Sequence, residues 1–300
     1  MKTINENNYI EYNGKNIIIM ICSDCNIRCK HCYISFKGNR TPEELIDMVS
    51  NLKDKYNIEL NGAEVLTNLE YLKAYKLVGQ HHILSNGKAI LDNPKTIQEL
   101  KENNITTVAM SYHFGIQDQI SVVSEKDLKK IMDILRANNI EYRFMTTIDS
   151  DNYKDIVEFC DRAYDLGARA IKFTNYIMQG NALNLDKRLT IEQKKCFFEE
   201  LGKARSKYSK DELIVERCGT FGKNLATIKD NFYCDCITDS VVITPNNNVY
   251  ACIFLAKHNY EIGKYIDGKI MIDKKFNNQH DVCLIDEICN KKKLLLSRRV

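Results

Sequence analysis

We predict an α/β fold built on a parallel sheet, and two observations lead to this prediction. The first is a set of short apolar segments, rich in β-branched residues, that is typical of buried strands. They lie at 16–22, 58–60, 82–85, 105–112, 142–148 and 170–176. The second is that a segment with apolar residues at helical spacing follows each strand. Strands that alternate with helices pair in parallel through right-handed crossovers.

The helix starts are marked by capping residues. Thr41 is an N-cap, Pro42 occupies the first helical position, and Glu44 stands where a capping box needs an acid. Apolar residues continue at helical spacing as far as Leu52. The remaining predicted helices lie at 69–78, 93–103, 125–137, 153–166 and 190–208. Ligand sites of such sheets lie beyond the carboxyl ends of the strands.

The last part of the chain has a different pattern, with short β-like runs joined by polar turns. The segment 241–252 has the pattern of a hairpin, with a turn around Pro245 and Asn246. We therefore expect one domain over residues 1–185, a helical connection over 186–216 and a small α+β unit over 217–300.

Composition limits the classes of function. The chain has 300 residues with 43 Lys and Arg against 40 Asp and Glu, a net charge of +3. This balance gives no support to a nucleic-acid or membrane-surface partner. The longest apolar run, 17–22, is far shorter than the roughly 18 residues of a membrane span, and no secretion signal opens the chain. We expect a cytoplasmic protein.

Cysteine is the anomaly of this composition. The chain has 12 Cys, and in a reducing compartment a metal or catalytic role is the expected use of such thiols. Cys25, Cys29 and Cys32 follow the first strand with the spacing C-x3-C-x2-C. Three thiolates on one loop suit three irons of a [4Fe-4S] cluster and leave the fourth iron open to a cofactor. The alternative is a structural zinc site, completed by Cys22.

These residues resemble the signature of the radical S-adenosylmethionine (SAM) superfamily, C-x3-C-x-aromatic-C. His31 takes the aromatic position, where the resemblance places it beside the adenine, and Tyr33 follows the last cysteine. The resemblance implies a partial (β/α)6 TIM-like barrel with a small α+β C-terminal auxiliary-cluster domain. It also implies a [4Fe-4S] cluster that binds SAM and cleaves it to a 5′-deoxyadenosyl radical.

Further segments after successive strands are similar to the SAM-binding segments of this superfamily. The segment 61–66 resembles the G-G-E-P segment, Asn86 and Gly87 resemble a T-N-G turn, and the loop at 179–181 resembles one that passes near adenine. Ser111 stands at a ribose-contacting position, followed by His113 where an acid is common. The resemblance therefore implies that SAM is bound by His31, Tyr33, Gly62, Ala63, Glu64, Asn86, Ser111 and Gly180.

A second group of cysteines resembles the twitch or SPASM extension of radical SAM enzymes. Cys236 and Cys252 are separated by fifteen residues, and Asn247 occupies the place of a glycine. This replacement is acceptable because Asn tolerates a left-handed backbone. The resemblance implies one auxiliary [4Fe-4S] cluster, with Cys283 and Cys289 as further ligands. Cys234 is a ligand, a core residue or a hydrogen donor to a substrate radical, and we assign it the catalytic donor role. Cys218 is a second candidate for the role of hydrogen donor.

The resemblance implies an enzyme that modifies a ribosomally made peptide by thioether formation, crosslinking or epimerisation. The expected partners are a small precursor peptide, a flavodoxin or ferredoxin as electron donor, and a separate peptide-recognition protein, because few residues precede the first strand. The alternatives are a radical SAM dehydrogenase or epimerase of a small metabolite such as a sugar, and a non-catalytic zinc-binding scaffold.

Overall fold

Strands and helices alternate through most of the chain, as predicted. The computed structural model describes residues 8–221, 239–256 and 260–276. The strands are β1 (Tyr9–Glu11), β2 (Asn16–Met20), β3 (Asn57–Asn61), β4 (His82–Ser85), β5 (Thr107–Ser111), β6 (Glu141–Ile148), β7 (Ala170–Asn175), β8 (Ile214–Arg217), β9 (Ser240–Ile243), β10 (Asn248–Tyr250), β11 (Glu261–Ile266) and β12 (Lys269–Asp273). The helices are α1 (Pro42–Leu52), α2 (Leu72–Val78), α3 (Lys88–Asp92), α4 (Lys95–Glu102), α5 (Gln117–Ile120), α6 (Glu125–Ala137), α7 (Ile156–Asp165) and α8 (Ile191–Lys207).

The strands form two sheets. One has the order β4-β5-β6-β7-β8, and all its pairings are parallel. The other has the order β1-β12-β11-β10-β9-β2-β3, in which β2 pairs in parallel with both β3 and β9. The predicted α/β fold is confirmed, and the parallel strands together form a partial barrel. Within the described ranges, β8 and β9 are not paired with each other.

Side-chain hydrogen bonds join the two sheets where β3 and β4 are not paired by backbone. The buried Gln80 accepts from the Leu60 backbone N–H at 2.7 Å and donates to the carbonyls of Leu60 and His82 at 3.1 and 3.0 Å. One amide therefore satisfies backbone groups on both strands, which a buried gap between strands requires.

Capping explains why α1 begins where the sequence predicts. The Thr41 hydroxyl accepts from the Glu44 N–H at 3.2 Å, and the Glu44 carboxylate accepts from the Thr41 N–H at 2.8 Å. The predicted helix at 93–103 is shorter than expected, since α4 starts at Lys95 and the separate helix α3 precedes it. The sequence reasoning also missed β8, whose strand is only four residues long.

The C-terminal strands continue the sheet of the first core strand. The predicted hairpin is present as β9 and β10, and Asn247 in its turn has φ 63°, the left-handed conformation expected there. The buried Arg40, just before α1, donates to the Thr244 carbonyl at 2.6 Å and to Asn247 Oδ1 at 2.7 Å. Arg40 thereby fastens this turn to the barrel.

Burial alternates along the central strands. In β6 the residues from Tyr142 onward are alternately buried and half-buried, and the half-buried ones include Met145 and Thr147. The buried residues pack outward against the helices, while the half-buried ones face the barrel interior. Among the described residues, no helix has both the length and the apolar character that crossing a membrane requires.

Candidate active site

A cavity of about 950 Å³ lies at the carboxyl ends of the barrel strands. The loop that carries the three clustered cysteines forms one wall, and polar residues at the ends of β3, β5, β6 and β7 form another. Ala251, the residue after the hairpin strand β10, and the following Cys252 also line the cavity. The cavity lies at the place where the parallel strands predict a ligand site.

The three predicted cluster ligands, Cys25, Cys29 and Cys32, line this cavity together. All three are half-buried and none is in a disulfide. Burial, together with the neighbouring Cys32 and Cys25, raises the pKa of the Cys29 thiol to about 11. Burial also raises the pKa of Cys25. A cation that replaces these protons relieves the mutual repulsion of the thiolates, so the donor set suits an iron-sulfur cluster.

Two asparagines hold the cysteine loop in place. Asn86, after β4, directs its Nδ2 to the Cys25 Sγ at 3.6 Å and donates to Asn26 Oδ1 at 2.8 Å. Asn181, after β7, donates from its backbone N–H to the Cys32 carbonyl and from Nδ2 to the Cys29 carbonyl, both at 2.9 Å. Hydrogen bonds of this kind fix the orientation of metal ligands.

Gly180 lies between these contacts, against the backbone of the cysteine loop. Its φ is 56°, and a Cβ at this position would lie 2.4 Å from the Cys32 carbonyl oxygen and 2.8 Å from that of Ile34. Only glycine allows this approach. This geometry does not test the expected role of Gly180 near adenine. It places Gly180 in close contact with the backbone of the cysteine loop.

Gly62 and Ala63 line the cavity beside the cysteine loop. The Ala63 N–H donates to the Cys22 carbonyl at 2.9 Å, and a Cβ on Gly62 would lie 2.9 Å from the Cys22 Sγ. Cys22 itself is buried, and its Sγ lies 3.6 Å from the Glu64 carbonyl oxygen. The thiol considered as a fourth zinc ligand is therefore engaged in the core.

Glu64 is placed differently from what a direct contact between its carboxylate and SAM requires. The side chain is fully buried and is not part of the cavity lining. Its carboxylate accepts from the Leu66 N–H at 3.1 Å, the Ser85 hydroxyl at 2.9 Å and the Asn86 N–H at 2.7 Å. Burial raises the pKa of Glu64, and these three hydrogen bonds oppose that rise. The side chain thus joins the end of β3 to the turn that carries Asn86.

Several polar atoms of the cavity wall are buried and have no partner in the described part of the chain. They are His31 Nδ1, His113 Nε2 and Asn61 Oδ1. The two imidazoles are in edge contact, with ring centroids 4.3 Å apart. Burial lowers the pKa of His31 to about 4, so the imidazole is neutral at pH 7. Unpartnered buried polar atoms are costly, and a polar ligand such as a nucleoside would satisfy them.

Ser111 and Tyr33 also line the cavity. Ser111 is exposed at the end of β5, as a ligand-contacting hydroxyl must be. The Tyr33 ring packs against Phe254 with centroids 4.8 Å apart, and burial raises its pKa, with contributions from Cys32, Cys218 and Cys252. The thiols of Cys32, Cys218 and Cys252 are therefore all near enough to the Tyr33 phenol to affect its ionisation.

Of the predicted auxiliary ligands, only Cys252 lies within the described residues. Cys236, Cys283 and Cys289 lie outside them, as does Cys234, the predicted hydrogen donor. Sequence reasoning passed over Asn61 and Asn181 as site residues and treated His113 as an irregularity. Their positions directly at or after strand ends are the signal that identifies them.

In the part of the chain that the structure describes, no three His, Cys, Asp or Glu side chains converge closely enough to hold a single metal ion. The thiolates of a cubane cluster are bound to different irons and stand farther apart than ligands of one ion. The residues present therefore fit a cluster held by Cys25, Cys29 and Cys32, and the orphaned polar atoms fit SAM beside it.

Comparison with known proteins identifies a family match and related folds. The sequence model of the Radical SAM superfamily matches residues 19–163, which include the cysteine loop and the strands β3 to β6. An uncharacterized protein of Methanocaldococcus jannaschii is 27% identical over 180 residues, which cover 53% of this chain and 62% of that protein. The chain thus spans less than two thirds of that relative.

Solved structures share the fold. SuiB of Streptococcus suis has a TM-score of 0.66 at 14% identity, over 82% of this chain and 62% of SuiB. SuiB bound to its precursor peptide SuiA has a TM-score of 0.67 at 15% identity, over 94% of this chain and 65% of SuiB. The structure of anSMEcpe with bound AdoMet has a TM-score of 0.64 at 17% identity, over 87% of this chain and 79% of anSMEcpe.

The family match contains the three-thiol loop and the strands that form the cavity, and the shared fold extends beyond it. The predicted resemblance to the radical SAM superfamily is confirmed for residues 19–163, the segment that the family model matches.

Proposed function

We propose that this protein binds a [4Fe-4S] cluster and SAM and uses them to remove a hydrogen atom from a ribosomally made peptide. The observation that carries this proposal is the cavity in which Cys25, Cys29 and Cys32 meet the unpartnered atoms of His31 and His113. When bound, the reduced cluster supplies one electron for the cleavage of SAM to a 5′-deoxyadenosyl radical. A cytoplasmic location suits such an oxygen-sensitive group.

The residues of the chain have separate tasks in this proposal. Cys25, Cys29 and Cys32 hold three irons, and Asn86 and Asn181 keep their loop in position. His31, Ser111 and the segment with Gly62 and Ala63 contact SAM. Glu64 acts through Asn86 as a positioning residue, since its carboxylate is engaged inside the protein. The apolar parts of the wall exclude water from the radical.

The peptide substrate is supported by the size of the cavity and by the shared fold. A volume of about 950 Å³ exceeds what SAM alone requires and leaves room for a second ligand. The fold is shared with SuiB, which has been solved with a precursor peptide, and with anSMEcpe, which has been solved with bound peptides. An auxiliary cluster with Cys236, Cys252, Cys283 and Cys289 remains part of the proposal, as do an external electron donor and a separate recognition protein.

The test is anaerobic reconstitution with iron and sulfide, followed by measurement of metal content and of 5′-deoxyadenosine under reducing conditions. We expect about eight irons per chain for two clusters. Cys25→Ala, Cys29→Ala and Cys32→Ala should each lose 5′-deoxyadenosine formation, whereas the control Cys196→Ala in α8 should keep it. Zinc without sulfide would support the scaffold alternative instead. Iron content unaffected by the three changes would contradict the assignment of Cys25, Cys29 and Cys32 as cluster ligands.

The donor thiol is tested with a short peptide encoded beside the gene. Cys234→Ala should keep cleavage of SAM and block return of a hydrogen atom to the peptide, seen as missing solvent deuterium in the product. Cys218→Ala is the comparison, because Cys218 lines the cavity. If only the Cys218 variant loses deuterium incorporation, the donor role belongs to Cys218.

A further inference from the structure

The inner face of β7 carries a charged side chain that the proposed reaction does not use. Lys172 alternates with the fully buried Ile171 and Phe173, so it faces the barrel interior, where it and Thr174 line the cavity. An ammonium group at this position is unusual, because the corresponding positions of barrel strands are commonly filled with branched apolar residues.

Lys172 has no ion pair and no hydrogen bond from its ammonium group among the described residues. Its register partner on β8 is Glu216, and no carboxylate oxygen of that residue lies within 4.0 Å of the ammonium. Glu59, which lines the same cavity from β3, accepts instead from Asn61 Nδ2 at 3.0 Å. A half-buried cation without a partner is costly, and a ligand of opposite charge removes that cost.

Other cationic and polar groups surround this position. The His82 imidazole at the start of β4 has a lowered pKa, first because of burial, while Glu59 raises it and Arg143 and Lys172 lower it. Arg143 Nε is buried without a partner in the described residues. One layer above Lys172, the hydroxyls of Thr147 and Thr174 lie 3.3 Å apart. Hydroxyl donors beside an ammonium match the two oxygens of a carboxylate.

We propose that Lys172 binds a carboxylate brought into the cavity by the substrate, either an acidic side chain or the C-terminus of a peptide. This inference rests on the proposed function, because it names the class of peptide that the site accepts. The same chemistry is also present in the methionine carboxylate of SAM. The experiment therefore has one arm for each source.

The first arm compares synthetic peptides that differ only in Asp against Asn, Glu against Gln, or a free against an amidated C-terminus. Reconstituted protein is incubated anaerobically with the mixture, and retained peptides are quantified by mass spectrometry. We expect wild type to enrich carboxylate-bearing members about tenfold. Lys172→Gln should lose this preference and Lys172→Arg should retain it. The control Lys210→Gln alters an exposed lysine outside the cavity and should behave as wild type.

The second arm measures SAM affinity of the same proteins by equilibrium dialysis. A tenfold loss in Lys172→Gln with peptide preference intact would assign the bound carboxylate to SAM. The proposal would be overturned if wild type retained peptides with and without the carboxylate equally and Lys172→Gln bound SAM as tightly as wild type. Formation of 5′-deoxyadenosine is followed separately. Its absence from wild type contradicts the proposed function, while the carboxylate preference is still read from retention.

Discussion

At the scale of single residues, Glu64 shows how one buried carboxylate joins two loops of the cavity wall. Its carboxylate accepts from the Leu66 N–H after β3, and from the Ser85 hydroxyl and the Asn86 N–H at the end of β4. Asn86, held in this way, reaches the Cys25 Sγ. The Glu64 carboxylate therefore influences the cysteine loop through the position of the Asn86 amide.

We expect Glu64→Gln to lower the free energy of unfolding by about 1–3 kcal/mol. In either orientation the amide nitrogen of Gln faces a backbone N–H, of Leu66 or of Asn86, that loses its acceptor. Urea unfolding of the metal-free protein measures the change. Glu158→Gln, an exposed acid on α7, is the control and should alter stability by less than about 0.5 kcal/mol. Equal stability of Glu64→Gln and wild type would contradict the hydrogen-bonding role.

A second observation at the residue scale concerns Lys172, whose ammonium group has no ion pair or hydrogen bond among the described residues. Strand alternation places it on the inner face, and this could be read from the sequence once β7 is located. The absence of an acid within reach could not be read, because the nearest candidates come from β3 and β8, which are distant in sequence.

At the scale of elements, the segment after β7 supports the cysteine loop after β2. Gly180 approaches the Cys32 carbonyl, and Asn181 binds the carbonyls of Cys29 and Cys32. The loop that carries three thiols contains little regular structure of its own. Its conformation therefore depends on partners from another element.

We expect Gly180→Ala to displace the cysteine loop, because the new Cβ would stand 2.4 Å from a backbone oxygen that must move. In the metal-free protein, alkylation of Cys29 and Cys32, followed by mass spectrometry, should become several-fold faster. Gly79→Ala is a matched control, since Gly79 also has a positive φ, of 70°, but has nothing within 4 Å of the added Cβ. Equal alkylation rates in the two variants would argue against a supporting role for Gly180.

At the scale of the whole molecule, the described C-terminal strands extend the sheet that begins the barrel. β9 pairs in parallel with β2, and Arg40 binds the turn between β9 and β10. Burial lowers the pKa of Arg40 to about 10, which still leaves the guanidinium charged at neutral pH. Cys252 follows this hairpin and reaches the cavity for that reason.

We expect Arg40→Met to destabilise the protein by about 3 kcal/mol, because a buried carbonyl and a side-chain amide lose a charged donor. Proteolysis after β8 and thermal unfolding would both report the loosened hairpin. Arg136→Met removes an exposed guanidinium that also makes several hydrogen bonds, and it should cost less than about 1 kcal/mol because water replaces the donor. A stable Arg40→Met variant would show that strand pairing alone holds the hairpin.

The six central strands and the start of α1 could be predicted because their signals are local. Apolar runs mark the strands, and the Thr41 and Glu44 side chains cap the helix through contacts three residues apart. The three-thiol loop was likewise evident, since the spacing of Cys25, Cys29 and Cys32 is itself the signal. Short elements such as α3 and β8 were missed, because their formation depends on packing rather than on periodicity.

The sequence by itself determined the order of strands and helices, the end of the barrel at which the site lies, and the three thiols expected to bind iron. Only the tertiary structure decided that β9 pairs with β2, that Glu64 is satisfied inside the protein, and that no carboxylate of the described residues lies within 4.0 Å of the Lys172 ammonium. The physical reason is distance along the chain. Propensity, capping and ligand spacing act between near neighbours, whereas strand pairing and the partners of a buried charge depend on segments that meet only after folding.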